Sequence, residues 1–312
     1  MDLSIIIPAY NAKDTVDKTL FSIKKQKISI SFEVIIVNDC SDYDYEEFIN
    51  KYNNYYNIRE IKTKVNSGPG VARQLGIDNS DSKYIIFIDS DDNFYDENSV
   101  FKLYNKIEKE NADLVIGNFI YDINEKINIK KSDITWLHGK IYRREFLKKY
   151  NIRFNDTRSN EDAGFNRLVI FLNPKYKLLD EIVYSYNENE NSITTKNNKE
   201  YTFFGIKGYC YNMDWAIEEA IKRGRREEEF VEFYINILSV LYLYYIKLHN
   251  KYDVKKILKW GKSIKLRYDK YENNLNNEIY KKSLDKVKKQ IEENRTKEID
   301  ISFEEFLDKF NI

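Results

Sequence analysis

The stretch YIIFIDSDDNF, residues 84–94, decides the fold because an apolar run of strand length ends in a cluster of acids. Residues 84–88 are all aromatic or β-branched, which is typical of a strand buried on both faces of a parallel sheet. Open α/β sheets bind ligands beyond the carboxyl ends of such strands, where Asp89, Asp91 and Asp92 stand. Carboxylate oxygens are the ligands that Mg²⁺ and Mn²⁺ prefer. The stretch therefore predicts a divalent-cation site at the edge of a parallel sheet.

The acid cluster has two alternative interpretations. An EF-hand loop also begins with D-x-D-x-N, but here Phe94 stands where that loop needs Gly and Val100 where it needs Glu. The acids, Asp92 in particular, could also cap the following helix, because Asp is favoured near helix N-termini. The stretch alone does not decide between capping and metal binding.

Composition narrows the class of protein. The chain has 312 residues with 51 Lys+Arg and 51 Asp+Glu, and this balance argues against a nucleic-acid binder. With 26 Tyr and 18 Phe against 3 Pro, it is predicted to fold compactly. Cys40 and Cys210 have neither metal-ligand nor disulfide-framework spacing, so we expect a cytoplasmic protein. The N-terminal apolar run stops at Pro8 and lacks a basic flank, so we expect neither a signal peptide nor an anchor.

The first 120 residues alternate strands with amphipathic helices. The predicted strands are residues 3–7, 32–37, 58–62, 84–88 and 114–118. Helical periodicity follows residue 16 and again residue 100. This alternation predicts an α/β fold with a mostly parallel sheet flanked by helices.

The chain from residue 201 onward is predicted to be all helical. The expected helices are residues 213–223, 228–247, 254–268 and a Lys- and Glu-rich stretch to about 295. The segment 233–248 is apolar but shorter than a membrane span, so we expect a buried helix. We therefore predict two domains, 1–198 with the binding and catalytic residues, and 199–312 as a helical region packed on or beside it.

Polar turns follow the first two predicted strands. They read PAYNA, residues 8–12, and NDCSD, residues 38–42. An Asp in such a turn can accept a hydrogen bond from a pyrimidine ring N–H, and Tyr10 can stack on the ring. An ordinary turn is the alternative, and for either segment alone it is the better one.

A glycine-containing turn follows in KVNSGPGVARQLGI, residues 64–77. Gly68 and Gly70 permit close approach of a ligand to the backbone, and the helix that opens at Val71 attracts anions. The Gly-Lys-Ser/Thr ending of a Walker loop is absent from this segment. Arg73 lies in the first helical turn, where its charge opposes the helix dipole unless an anion or an acid compensates it.

In this order, the motifs resemble those of the family 2 glycosyltransferases of the GT-A fold. The matching segments are SIIIPAYNA, VIIVNDCSD, NSGPGVARQLGI, FIDSDD, HGKIYRREFL, NEDAGFN and VYSYNENENSIT. They cover roughly the first 195 residues. Each motif is loose, but seven in the expected sequence are specific. The resemblance implies a GT-A (Rossmann-like) sheet with a C-terminal helical extension.

The resemblance also implies roles for individual residues. Those implied to bind the nucleotide sugar are Pro8, Ala9, Tyr10, Asn11, Asp39, Asn66, Gly68, Arg73, Asp89 and Ser90. Asp91, with Asp89 and His138, would bind Mn²⁺ or Mg²⁺. Asp162 would be the catalytic base, and Glu161 is the alternative candidate for that role. Gly139, Lys140 and Arg143 would meet the acceptor or the diphosphate.

Several of these assignments have structural alternatives. His138 could be structural or solvent-facing, and Lys140 and Arg143 could belong to the basic first turn of an exposed helix. The chain also departs from the common pattern of the family. Asn38 replaces an acid, Cys40 replaces Gly, and Asn187 stands where Arg is frequent.

The predicted function is metal-dependent, inverting transfer of a sugar from a nucleotide diphosphate donor, most simply a UDP-sugar. The acceptor would be a hydroxyl of a glycan, polymer or protein. The alternatives are a non-catalytic sugar-nucleotide or glycan-binding module and, ranked third, a sugar nucleotidyltransferase. The latter needs a Gly-rich triphosphate loop that PAYNA does not provide.

The predicted partners and location follow from charge. We expect no nucleic-acid partner, and the sequence makes no prediction of donor sugar or oligomeric state. Lysines cover one side of residues 254–265, and such a helix can rest on anionic lipid. A helix docked on the core with a solvated basic face is preferred to peripheral contact with the inner face of a membrane.

Overall fold

β-branched and aromatic runs form the central strands of a mixed sheet. The computed structural model describes residues 1–123, 126–187, 200–248, 255–272, 285, 288–289, 292 and 301–310. The chain divides into two units, Met1–Thr202 and Phe203–Ile312. The predicted boundary after residue 198 lies outside the described residues.

The first unit contains nine strands within the described residues. They are β1 Leu3–Ala9, β2 Phe32–Asn38, β3 Asn57–Lys62, β4 Tyr84–Phe87, β5 Asn93–Phe94, β6 Leu114–Ile123, β7 Lys126–Lys130, β8 Lys140–Arg143 and β9 Tyr176–Tyr186. Their order is β3-β2-β1-β4-β8-β6-β9-β5, and β7 pairs with β6. The neighbours β3, β2, β1 and β4 run parallel, as predicted.

Six helices of the described residues accompany this sheet. They are α1 Val16–Lys24, α2 Glu46–Tyr52, α3 Pro69–Asp78, α4 Ser99–Lys109, α5 Arg144–Lys149 and α6 Glu161–Phe171. The helix predicted to open at Val71 begins two residues earlier, because proline is well suited to the first helical position.

Alternation along β1 divides the core between two faces of the sheet. Leu3, Ile5 and Ile7 belong to a cluster that includes side chains of α1, α2 and α4. On the other face, the Gly76 position of α3 lies against Ile6, where an added Cβ would come within 2.5 Å of Ile6 Cγ2. Glycine at this position therefore lets α3, which carries Arg73, lie close to β1.

The helix α6 is supported on the same face as α3. Phe165 stacks on Phe154 with ring centroids 4.0 Å apart, and both rings meet Phe87 of β4 edge-on. Such aromatic contacts fix the position of a helix on a sheet. They place the first turn of α6 beside the end of β4.

The sequence did not predict β8 and β9, which extend the sheet beyond β4. β8 pairs antiparallel with both β4 and β6, whereas β9 pairs parallel with β6 through an irregular register. Lys140 and Arg143 are therefore strand residues, so the alternative of an exposed helical turn is wrong. The short run KIYR is too brief to show a period of two.

The second part of the chain is helical, as predicted. Its helices are α7 Glu200–Lys222, α8 Val231–Leu248, α9 Lys255–Glu272 and α10 Phe303–Asp308, with a 3₁₀ turn at Glu227–Phe230. Tyr242 of α8 packs against Phe303 and Phe306 of α10. Much of the predicted Lys- and Glu-rich stretch to residue 295 lies outside the described residues.

One helical segment meets the length and composition of a membrane span. Glu227–Ile246 is 20 residues long, and half of its apolar window is buried within the protein. Core helices of soluble proteins have the same composition, so the segment does not by itself establish membrane contact. In α9, Ile264 is buried while Lys259 and Lys262 are exposed, which agrees with the predicted apolar stripe.

Replacing Cys40 by Gly is expected to stabilise the fold. Cys40 is exposed and has φ +62°, a conformation that costs a residue with a Cβ about 1–2 kcal/mol. Glycine removes this strain but loses more chain entropy on folding, so Cys40→Gly should raise the free energy of unfolding by about 0.5–1 kcal/mol. Urea denaturation measures the change. Cys40→Ala removes the thiol but keeps the Cβ, so an equal gain in both variants would contradict the explanation.

Candidate active site

The carboxyl ends of the parallel strands bring the predicted motifs to one edge of the sheet. Ala9 of β1 is paired with Asn38 of β2, and Ile6 of β1 with Phe87 of β4. The turns that follow these three strands carry Tyr10, Asp39 and Asp89, respectively. The sequence motifs, up to 80 residues apart in the chain, therefore meet as predicted for a parallel sheet.

The carboxylate of Asp39 holds the glycine turn in place. It accepts hydrogen bonds from Thr63 Oγ1 at 2.8 Å, the Ser67 N–H at 2.9 Å and the Gly68 N–H at 2.7 Å. Gly68 has φ +92° and directly precedes α3. Asp39, expected to meet the nucleobase or ribose, thus shapes the loop that carries Asn66 and Gly68.

The turn after β1 presents an exposed aromatic ring. Tyr10 is 52% exposed, whereas Pro8 and Ala9 end the buried strand. Asn11 exchanges hydrogen bonds with Asp42, donating from Nδ2 and accepting the Asp42 N–H. This pairing ties the turn after β1 to the turn after β2 and leaves the Tyr10 ring facing solvent.

Asn38 replaces the usual acid of the family with a structural amide. Its Nδ2 donates to Tyr43 O at 2.9 Å and to Glu60 Oε1 at 2.7 Å, and its Oδ1 accepts the Ser41 N–H at 2.7 Å. An acid could not make the two donations. The replacement of the acid by Asn38 therefore gives the turn after β2 hydrogen bonds within the protein.

Arg73 joins the end of β4 to the start of α6. Its Nη1 donates to Glu161 Oε1 at 2.8 Å and its Nη2 to Asp89 Oδ1 at 2.6 Å. The guanidinium is buried, so the two carboxylates are the acids that compensate its unfavourable place in the first turn of α3. An added Cβ at Gly70 would come within 2.7 Å of Glu161 Cγ, so glycine is needed for this approach.

The charges of this bridge set the protonation of its members. Burial alone would raise the pKa of Asp89, but the charge of Arg73 and the contact with His138 outweigh it and hold that pKa below its usual range. Burial likewise opposes the charged form of Arg73, and the attraction of Asp89 and Glu161 nevertheless raises its pKa. Both groups are therefore ionised at neutral pH.

His138 lies between two tyrosine rings. Its ring stacks on Tyr184 at a centroid distance of 4.6 Å and on Tyr186 at 5.3 Å. Its Nε2 is 3.7 Å from Asp89 Oδ2 and 4.0 Å from Asp92 Oδ2. Burial lowers the pKa of His138 against the opposing influence of Asp89, which favours the neutral imidazole that can ligate a metal. The solvent-facing alternative is therefore wrong.

The donor set around Asp89 fits a divalent cation. Asp89, Asp92 and His138 each offer one ligand atom, and these atoms lie within 4.8 Å of one another. The buried Nδ1 of His138 has no hydrogen-bond partner within the described residues. Two carboxylates and an imidazole suit Mn²⁺, and carboxylates suit Mg²⁺. Asp89 and His138 of the expected metal-binding set thus lie together, with Asp92 as the third member.

Asp92 is the buried member of the acid loop, residues 89–92. It is fully buried, and its carboxylate accepts from the Tyr184 hydroxyl and from the Asn187 N–H. Burial raises its pKa, as do the charges of Asp89 and Asp91. The expectation that Asp92 caps a helix is wrong, because α4 begins at Ser99 after Asn98. With Ser90 and Asp91 half-buried, the open side of the loop belongs to Asp89–Asp91.

Glu161 and Asp162 open α6 with different environments. Glu161 is buried and paired with Arg73, whereas the partly exposed Asp162 forms no ion pair within the described residues. Burial and the neighbouring Glu161 raise the pKa of Asp162 to about 7 despite the charge of Arg73. A carboxylate with such a pKa is suited to accept a proton at neutral pH. The geometry therefore favours Asp162 over Glu161 as a base.

Lys140 and Gly139 are built into the sheet. Lys140 is buried, donates from Nζ to the carbonyls of Trp136 and His138, and has its pKa lowered to about 8 by burial. Gly139 has φ +66° and its carbonyl accepts from the Gly117 N–H. Both residues fix the segment that carries His138. The structure gives them this internal role in place of the expected contact with an acceptor or a diphosphate.

Arg143 does not reach the site. It is paired with Tyr84 at the amino end of β4, opposite to the end that carries Asp89. Its Nε donates to Ala112 O and its Nη2 to Asn111 Oδ1. The expected role at the acceptor or the diphosphate is therefore corrected to anchoring the start of β6.

Sequence reasoning missed Tyr184, whose hydroxyl contacts both ends of the acid loop. Its segment VYSYN was recognised as a motif, and alternation along it marks Tyr184 as inward-facing. No strand was predicted at β9, because the start of β9 is exposed or half-buried and has no apolar alternation.

Comparisons with known proteins agree with this geometry. The sequence profile described as glycosyl transferase family 2 matches residues 4–160. TarS of Staphylococcus aureus strain Mu50, a poly(ribitol-phosphate) beta-N-acetylglucosaminyltransferase, is 28% identical over 202 residues, 60% of this chain and 35% of TarS. The glycosyltransferase GlyA of Streptococcus pneumoniae serotype 4 strain TIGR4 is 26% identical over 222 residues, 62% of this chain and 31% of GlyA. The chain thus spans about a third of the length of these two relatives.

The fold has a counterpart among solved structures. The crystal structure of S. aureus TarS 1-349 in complex with UDP-GlcNAc superimposes with a TM-score of 0.69 at 19% identity, covering 97% of this chain and 95% of that chain. The similarity confirms the predicted α/β fold class. Since the family profile matches half of the chain, the chain belongs to glycosyl transferase family 2 and has the GT-A fold.

Proposed function

We propose that the chain transfers a sugar from a UDP-sugar to a hydroxyl of a polymer or glycan acceptor, with inversion at the anomeric carbon. The observation that carries the proposal is the bridge through Arg73. It joins the ionised carboxylate of Asp89 to Glu161 through one guanidinium, and the residue after Glu161 is Asp162, whose pKa is raised to about 7. Two acids with separated pKa values are what donor binding and base catalysis require.

Asp162 is the proposed base. An acceptor hydroxyl must lose its proton as it attacks the anomeric carbon, and a positioned carboxylate contributes about 10² to 10⁴ in rate. A single displacement from the side opposite to the leaving nucleotide inverts the anomeric configuration. The ion pair of Glu161 with Arg73 fixes the first turn of α6, so the neighbouring Asp162 has a defined place.

The donor is proposed to lie along the edge formed by Tyr10, Gly68 and Asp89. Tyr10 is exposed and able to stack on a base, and the start of α3 can receive a negatively charged group. Asp91, Asp89 and His138, with Asp92 beside them, would hold Mn²⁺ or Mg²⁺. The cation, when bound, neutralises the charge that develops on the diphosphate leaving group.

The choice of donor and acceptor is supported by relatives. A structural neighbour holds UDP-GlcNAc, and another TarS structure holds UDP. A further relative, 28% identical over 183 residues, is a poly(ribitol-phosphate) beta-glucosyltransferase of Bacillus spizizenii. UDP-sugar donors and polymer acceptors are therefore the first to test. Cys40 and Cys210 are free, which fits the proposed cytoplasmic location.

The alternative of a non-catalytic binding module is disfavoured by Asp162. A module that only binds a sugar nucleotide gains nothing from a partly buried acid whose pKa is raised to about 7. Such a module would bind the donor without turnover, and its function would survive Asp162→Asn.

A panel of UDP-sugars with Mn²⁺ tests the proposed donor class. We expect at least one UDP-sugar to raise the melting temperature and to be hydrolysed slowly in the absence of acceptor. At a hundredfold excess over Kd, the ligand adds about 2.7 kcal/mol to the free energy of unfolding. Asp91→Ala should weaken this response. If no donor binds and Asp91→Ala changes nothing, the proposal fails.

Activity should rise with pH through about 7 and then level off, because the base must be deprotonated. Asp162→Asn should lower kcat by about 10² to 10⁴ and leave donor affinity unchanged. The measurement is a pH profile of kcat/KM for both proteins. Asp156→Asn, a substitution at an exposed acid before α6, is the matched control and should leave the profile intact.

Asp162→Asn should also stabilise the protein above pH 7. The pKa of Asp162 is higher in the folded state than the ordinary 3.8, so the folded state binds more protons and loses stability as pH rises from about 4 to 7. Asparagine removes this loss, which is on the order of 1–2 kcal/mol for a partly exposed group. Urea denaturation at pH 5 and pH 8 measures it; a gain of equal size at both values would contradict the raised pKa.

Arg73→Lys should lower kcat strongly and the free energy of unfolding only moderately. A lysine keeps the charge but cannot span Asp89 and Glu161 as a planar fork does. We expect a loss of about 1–3 kcal/mol in stability and about 10² in kcat, because the acids on either side shift. Arg153→Lys is the control, since Arg153 forms a two-bond pair with Asp78 on the surface. Equal effects of both substitutions on kcat would contradict the role of the bridge.

A further inference from the structure

One tyrosine hydroxyl contacts both ends of the acid loop after β4, in addition to the pairing of β5 with β9. The Asp89 N–H donates to Tyr184 Oη at 3.2 Å, and that hydroxyl donates to Asp92 Oδ2. The single oxygen atom therefore connects the first and the last acid of the loop. Since Tyr184 is 1% exposed, its ring is fixed by packing and the hydroxyl has a defined position.

Asn187 adds two bonds to the same loop. Its backbone N–H donates to Asp92 Oδ1 at 2.8 Å, and its side-chain Nδ2 donates to Asp91 O at 2.8 Å. The family often has arginine at this position, whose longer side chain would not make the same short contact. Asn187 thus holds the backbone at Asp91 and the carboxylate of Asp92 together.

The ring of Tyr184 also orients His138. The two rings are stacked at 4.6 Å with an interplanar angle of 12°, and Tyr186 stacks on His138 at 5.3 Å with an angle of 19°. Close packing against both rings restricts the orientation of the imidazole. Tyr184 is therefore in contact with both the imidazole and the loop of acids.

We propose that Tyr184 and Asn187 act as a clamp, a pair of positioning residues that presets Asp89, Asp92 and His138, together with Asp91, for the divalent cation. The proposal rests on the proposed function, since it assumes that these residues receive a cation. Neither residue of the clamp is itself a ligand in the proposal. They act through hydrogen bonds and stacking, as the partners of metal ligands commonly do.

Preorganisation gives the clamp its effect. Three acids within four residues repel one another, and an unrestrained loop would separate them when no cation is bound. The bonds from Tyr184 and Asn187 oppose this separation, so less ordering remains to be done on binding. Loss of such a partner typically weakens metal binding by about 10- to 100-fold.

The experiment is a calorimetric titration of Mn²⁺, in the presence of UDP, into the full chain and two variants. Tyr184→Phe removes the hydroxyl and keeps the ring on His138; Asn187→Ala removes the bond to Asp91 O and keeps its own backbone N–H. We expect each variant to bind Mn²⁺ about tenfold more weakly. Thermal unfolding in EDTA shows that the variants are folded.

Tyr56→Phe is the control for losing a buried hydroxyl. The Tyr56 hydroxyl donates to Leu20 O at 3.1 Å, on the face of the sheet that carries α1. Its loss should lower the melting temperature in EDTA but leave Mn²⁺ affinity unchanged. The same Mn²⁺ affinity in the unmodified protein, Tyr184→Phe and Asn187→Ala would overturn the clamp while leaving the proposed function intact. Failure of the unmodified protein to bind Mn²⁺ with UDP would overturn both.

Discussion

The buried guanidinium of Arg73 is the constraint on which the site depends. A cation removed from water must be compensated by nearby acids, and Arg73 is paired through its two terminal nitrogens with Asp89 and Glu161. Those acids belong to two elements, the end of β4 and the start of α6, that are far apart in the chain. Because removing either partner leaves an uncompensated charge, the distance between the two elements is fixed by electrostatics as well as by packing. The phenylalanine stack beneath α6 adds the packing.

Two acids near this cation have pKa values shifted in opposite directions, for different reasons. Asp89 touches Arg73 and has a lowered pKa, so it stays charged and available to hydroxyls or a cation. Asp162 lies one residue beyond the acid that Arg73 pairs with, and burial together with Glu161 raises its pKa to about 7. The proposed chemistry needs both states at one pH. The arrangement costs stability, because Asp162 would be ionised more easily in the unfolded chain.

The sequence predicted the part of the fold in which local pattern and tertiary environment agree. β1, β2 and β4 are apolar runs, and the acids or polar turns beyond them fall where parallel strands place them. The family motifs then located Asp89 and Asp162. β8 and β9 were not predicted. The four residues of β8 are too few to show a period of two, and the start of β9 alternates exposed and half-buried residues. The position of Arg143, at the end of β4 opposite to Asp89, follows from the antiparallel register of β8, which no local pattern reveals.

The loop of acids shows why the second half of the sheet matters to the first. Asp89, Asp91 and Asp92 repel one another, and burial raises the pKa of Asp92 further. Arg73 relieves only Asp89, at one end of the loop. The other end is held by Tyr184 of β9 and by Asn187, which directly follows β9; they donate to Asp92 and to Asp91 O, respectively. The parallel strands present the acids, and the restraint on the acid loop comes from the other part of the sheet. Strand β9, which carries Tyr184, is held there by its pairing with β6. The mixed part of the sheet is therefore a component of the candidate site.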